Sequence, residues 1–157
     1  MSGAADRLSR RYARIREQLV ELFETNRDPL SRMATAVALL HHKNPHFFWT
    51  GFYRLVDGEL MVGPYQGPLA CALLERNVGV CWAGINRAEP ILVPNVHEFE
   101  GHIACDARSA SEVVVPLRDS AGEVVGVLDV DSAELDAFCQ QDVDGLVSIV
   151  ELIYAGL

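Results

Sequence analysis

No uncharged apolar run in this chain approaches the roughly 20 residues needed to span a bilayer. The first stretch, MSGAADRLSRRYARIRE, is charged from Asp6 onward and so lacks the apolar core of a signal peptide. Basic residues are few, 13 Lys and Arg against 22 Asp and Glu, for a formal net charge of −9. That balance argues against a nucleic-acid partner, because phosphate binding needs clustered lysine and arginine. The arginines that do cluster lie near the start of the chain, where they read as one solvated helix face. The cysteines at 71, 81, 105 and 139 form no Cys-x-x-Cys or Cys-x-x-His pair, which speaks against a thioredoxin-type motif and a zinc knuckle. Internal repeats, low-complexity tracts and linkers are also missing. The expectation is one cytoplasmic domain over 1–157, with no membrane contact, in which thiols are kept reduced and any disulfide is transient and catalytic. At 157 residues it can bury roughly 68–70% of its unfolded surface without staples, so the cysteines are free for chemistry.

What is present is a clear order of elements. Leu8, Tyr12, Ile15, Leu19, Leu22 and Phe23 recur at spacings of three and four and predict an amphipathic helix, packed on the domain or against a second copy. Asp28 and Pro29 supply the cap and first position of a second helix that must stop before Asn44 and Pro45. FFWTGFYRLV and ELMVGPYQ then form a hairpin across Asp57-Gly58. An irregular segment from Gly67 to Gly79 is followed by a short helix in VCWAGINRAE, a strand in PILVPNV and a polar loop carrying Cys105. A second hairpin, SEVVVPL with EVVGVLDVD, precedes a closing helix in QDVDGLVSIVELIYAGL with Val143, Leu146, Val150 and Ile153 inward. The class is α+β: a mainly antiparallel sheet, the terminal helices on one face, and middle loops covering a ligand pocket on the other.

Side chains two apart on a strand share a face, so Val125, Val127, Asp129 and Asp131 point together. On a sheet edge the two aspartates are ordinary solvated polarity; in a pocket they repel, and one holds its proton or attracts a cation such as a substrate ammonium group. Glu112, at the start of the neighbouring strand, either joins them or is merely exposed. Trp49 and Tyr53, four apart, are core residues or the walls of an apolar slot with a polar handle. His97 and His102 flank the Cys105 loop and receive no role. Cys105 sits between Ala104 and Asp106 just ahead of a valine run, a poor place for a structural thiol. With Cys71 and Cys81 it makes a trio lying outside the core strands, read as a zinc set with a fourth ligand or, better suited to the spacing and compartment, as a nucleophile with a resolving partner. Cys139 reads as a bystander.

The blocks WTGFY, VGPYQGPLAC, GVC, VPNVHEFEGHIACDARSASEVVVPL and GVLDVDS, in that order, resemble the free methionine-(R)-sulfoxide reductases, small enzymes built on a GAF domain. The resemblance spans about Tyr12 to Ile153. It implies that Cys105 is the nucleophile, Cys71 the principal resolving thiol and Cys81 a second resolver or relay. It further implies that Trp49 and Tyr53 line the slot for the substrate's S-methyl end, while Glu112, Asp129 and Asp131 hold its polar end and sulfoxide oxygen. Free methionine sulfoxide as substrate, thioredoxin as reductant, a homodimer, and no metal or organic cofactor follow from the same likeness. Where the family runs IPxGxGVCG, this chain has LLERNVGVCWAG, which puts the division of labour between Cys71 and Cys81 in question. A GAF domain that only binds a ligand, or that signals through its disulfide, is the alternative reading.

Overall fold

The computed structural model describes residues 2–102 and 105–157. Helix α1 runs over Ser2–Phe23 and α2 over Pro29–Lys43. Asp28 caps α2 as expected, its Oδ2 accepting from the Ser31 amide at 2.7 Å, with Pro29 at the first position. Strands β1 (Trp49–Val56) and β2 (Glu59–Gln66) pair through the predicted turn, in which Asp57 and Gly58 both take positive φ (52° and 78°). Such a turn matches the twist of the strands it joins. A two-residue strand β3 (Leu73–Leu74) follows, then α3 (Gly79–Arg87), β4 (Ile91–Val93), β5 (Ser111–Arg118), β6 (Val124–Ser132) and α4 (Gln140–Val150). A single 3-10 turn, Val96–Glu98, lies between β4 and β5. The strands form one antiparallel sheet in the order β3-β2-β1-β6-β5-β4.

Strand alternation divides the apolar residues into two cores. Phe52, Val113, Val115, Leu117, Leu128 and Val130 pack against Tyr12, Ile15, Leu19, Met33, Val37, Leu40, Leu146 and Ile153 of the helical layer. The other face carries Tyr53, Val114 and Val127, covered by Val80 and Trp82 of α3. The loops expected on that side are thus reinforced by a helix.

Four expectations need correction. Leu22 is 53% exposed, because Phe23 takes the inward position at the end of α1. The last helix stops at Val150 and continues as turns, although Ile153 is still buried. Val125 does not share a face with Asp129 and Asp131. Arg118 pairs with Val124 and Leu117 with Gly126, so Val125 is the extra residue of a bulge and packs on the helical core instead. Cys81, expected outside the core, belongs to α3 and is 5% exposed.

Candidate active site

Cross-strand register assembles the floor of the site. Glu112 of β5 lies opposite Asp131 of β6, and Asp131 opposite Trp49 of β1. One step along, Val114, Asp129 and Gly51 form the next row. All of these face away from the helical core, so three carboxyls from two neighbouring strands converge beside an aromatic wall. The Trp49 ring stacks between Tyr53 and Tyr65, with centroids 5.6 and 5.3 Å away. This requires glycine at 51, since a Cβ there would overlap both Trp49 and Tyr65. The pocket so formed is closed by Leu69 and Ala70 from one loop, Val80 and Cys81 from α3, and His102 and Cys105 from another.

Glu112, Asp129 and Asp131 are all buried. Burial and then the Asp129 charge hold Glu112 and Asp131 well above the ordinary carboxylate range, with Ser109 drawing Asp131 part of the way back. Asp129 is pushed only to about 6, because Glu112, Cys81 and Asp131 offset its desolvation. The cluster therefore ionises first at Asp129, flanked by two acids that keep their protons longer. Asp129 is 6% exposed, and its Oδ1 has no hydrogen-bond partner among the described residues. An unpartnered buried carboxylate oxygen costs free energy until a cation or donor reaches it.

The thiols are sorted by the fold. Cys71 and Cys105 are joined as a disulfide, their Cα atoms 5.6 Å apart across 34 residues of sequence. The Tyr53 hydroxyl donates to the Cys71 carbonyl at 3.2 Å, and Trp49 Nε1 donates to the Pro68 carbonyl at 3.1 Å, so the aromatic wall anchors the loop that carries Cys71. On the Cys105 side, Asp106 accepts from the Arg108 backbone amide (2.9 Å) and guanidinium (2.8 and 3.0 Å), and these bonds hold its carboxyl at about 2. Arg108 in turn lies over the Phe48 ring at 4.8 Å. Ile103 and Ala104, part of the same sequence block, lie outside the described residues. Cys81 is a free thiol whose pKa is driven up by burial and then by Asp129 and Glu112. With Cys71 and Cys105 bonded to each other, the three-thiol zinc set is not assembled in this state. Cys139 is exposed and sits at the N-cap of α4, away from the pocket.

A GAF domain family model matches residues 33–157. The free methionine-R-sulfoxide reductase of Escherichia coli is 37% identical over 139 residues, covering 88% of this chain and 84% of that protein. The chain belongs to the free methionine-R-sulfoxide reductase family of GAF domains. Solved relatives agree in fold. The Neisseria meningitidis free methionine-R-sulfoxide reductase, in complex with its substrate, superposes with a TM-score of 0.86 at 32% identity, covering 91% of this chain and 86% of that one. The reduced form of fRMsr from Staphylococcus aureus gives 0.86 at 36% identity, covering 91% and 92%.

For a member of this family, the pocket gathers Trp49, Tyr53, Glu112, Asp129, Asp131, Cys81 and Cys105 on one side of the sheet, with Cys71 bonded to Cys105. His102, given no role from the sequence, places its Nε2 3.7 Å from Glu112 Oε2. Burial and then His97 lower its pKa, while burial and then Asp129 raise that of Glu112, so both shifts work against an ion pair at this contact. Ser109 and Phe48, also in the lining, were missed. His102 and Ser109 lie within the block around Cys105, and that proximity was the available signal. Among the described residues no helix is long and apolar enough to cross a membrane.

Proposed function

We propose that this chain reduces free L-methionine-(R)-sulfoxide to L-methionine, with its own thiols as the electron source. The observation carrying the proposal is that Cys105, bonded to Cys71, lines the same pocket as three buried carboxyls and a stacked aromatic wall. The ionised Asp129, whose Oδ1 has no partner among the described residues, receives the substrate α-ammonium group with help from Asp131. The S-methyl end lies against Trp49 and Tyr53.

The chemistry then runs in three balanced steps. The Cys105 thiolate attacks the sulfoxide sulfur as Glu112 gives its proton to the oxygen; the resulting hydroxyl then passes to the Cys105 sulfur as the transient S–S bond and the original S–O bond break, leaving methionine and Cys105 sulfenic acid. An ordinary thiol is only a few per cent ionised at pH 7, so protonation of the oxygen shares the work. The Cys71 thiol displaces water from that sulfenic acid, giving the disulfide. Thioredoxin reopens it by thiol–disulfide exchange and leaves oxidised itself. Cys81, buried beside Asp129 and outside the disulfide, serves as the reserve resolver when Cys71 is lost. The reaction takes place in the cytoplasm and calls for no metal or organic cofactor. A homodimer joined through the exposed face of α1, which carries Val20 and Leu22, completes the reading. A coupled assay tests the proposal directly. NADPH oxidation through thioredoxin reductase and thioredoxin should follow addition of the free R sulfoxide; none above background with that substrate refutes it.

A further inference from the structure

The catalytic reading gives Cys81 only a reserve role, which does not account for a buried thiol set against the carboxyl cluster. Cys81 Sγ and carboxylate oxygens of Glu112 and Asp129 all lie within 4.8 Å of one another. They come from β5 and β6 of the sheet and from α3, which packs across that face. Thiolate and carboxylate are the donors that zinc-class divalent ions accept, at about 2.3 Å for sulfur and 2.0–2.2 Å for oxygen. A tetrahedral ion on such bonds needs its ligand atoms roughly 3.5 Å apart. Binding therefore draws the three side chains closer together. The second observation is independent of this clustering: Asp129 is 6% exposed, faces the pocket, and leaves Oδ1 without a partner among the described residues. Three acid-forming groups are thus crowded together in a buried site whose described residues offer Asp129 Oδ1 no hydrogen bond.

We propose that Cys81, Glu112 and Asp129 bind a divalent cation of the zinc class in the pocket, and that this ion and the amino-acid ligand exclude each other. The ion takes the Cys81 sulfur as thiolate and Glu112 as carboxylate, their protons passing to solvent, and satisfies the orphaned oxygen of Asp129. Water fills the fourth position, as in other open three-ligand sites. Because the ion lies where a substrate ammonium group would sit, it acts as a reversible inhibitor. The site does not use Cys71 or Cys105, so it exists in the oxidised protein. It shares Glu112 and Asp129 with the proposed reaction, so the competition with substrate rests on that reading.

The test uses full-length oxidised protein carrying Cys139→Ser, in which Cys81 is the one remaining free thiol. Titration with zinc chloride by calorimetry should give one ion per chain. Cobalt chloride should give a thiolate-to-metal absorption band in the near ultraviolet. Cys81→Ser should abolish the band and weaken zinc binding at least tenfold, and Asp129→Asn should weaken it similarly. Melting curves without metal establish that each variant is folded. Free methionine at saturating concentration should lower the apparent zinc affinity at least tenfold. Absence of binding, binding that survives Cys81→Ser, or binding indifferent to methionine would each overturn the proposal. The metal titrations of parent and variants need no turnover and stand or fall separately from the reductase activity, whereas the methionine competition rests on the proposed placement of the amino-acid ligand.

Discussion

The hydroxyl of Tyr53, part of the aromatic wall, donates to the backbone carbonyl of Cys71, part of the disulfide, at 3.2 Å. One side chain therefore lines the pocket and also fixes the loop that carries Cys71. Tyr53→Phe should leave the first methionine release unaffected and slow formation of the disulfide. A neutral hydrogen bond is worth about 1 kcal/mol, so roughly a fivefold slowing is expected. Rapid-quench measurement of free thiols after one turnover checks this. A slowed methionine burst with normal disulfide closure would place the hydroxyl in the chemical step instead.

Removing the central carboxylate should separate stability from activity. The pKa of Asp129 is raised from 3.8 to about 6 on folding, so the group favours the folded state below pH 4 and that advantage is lost as pH rises to about 6. Asp129→Asn has no such loss. Its melting temperature relative to the parent should climb between pH 4 and 6.5 by roughly 5 °C, and stay level above. Its turnover should fall by about 10²-fold or more. Thermal melts across that pH range, paired with the coupled assay, decide the matter. A relative melting temperature that falls with pH would show that the carboxylate is a structural partner.

Substrate choice follows from the same oxygen. An N-acetylated or peptide-bound methionine sulfoxide has no ammonium group to offer Asp129, so its turnover should drop at least a hundredfold below that of the free R sulfoxide. Comparable rates on both would remove the acidic cluster from substrate recognition.

Local signals in the sequence carried most of the architecture. Asp28-Pro29 and Asp57-Gly58 act through backbone conformations that two residues determine, and both mark element ends where expected. The shared face of Asp129 and Asp131 also needed only strand alternation. Val125 escaped the same rule because a bulge depends on how Leu117 and Arg118 pair with the opposing strand, and no local pattern records that pairing. Cys81 was misplaced for a related reason. Its burial comes from α3 packing across the sheet face, a contact between segments far apart in the chain. His102 was noted but left without a role, because a loop histidine beside a cysteine gains meaning only once Glu112 is known to lie 3.7 Å away.

The assignment of the nucleophile is the central claim, and a single-turnover experiment without reductant tests it. Reduced enzyme mixed with excess free R sulfoxide should release about one methionine per site in Cys71→Ser, because sulfenic acid forms without a resolver. In the Cys71→Ser, Cys81→Ser double variant the stalled sulfenic acid should be trapped by dimedone on the peptide containing Cys105. Cys105→Ser should release none, since a serine hydroxyl is far too weak an acid to supply a comparable nucleophile. A methionine burst surviving in Cys105→Ser, or a dimedone label on Cys71 of the otherwise unaltered protein, would contradict the account.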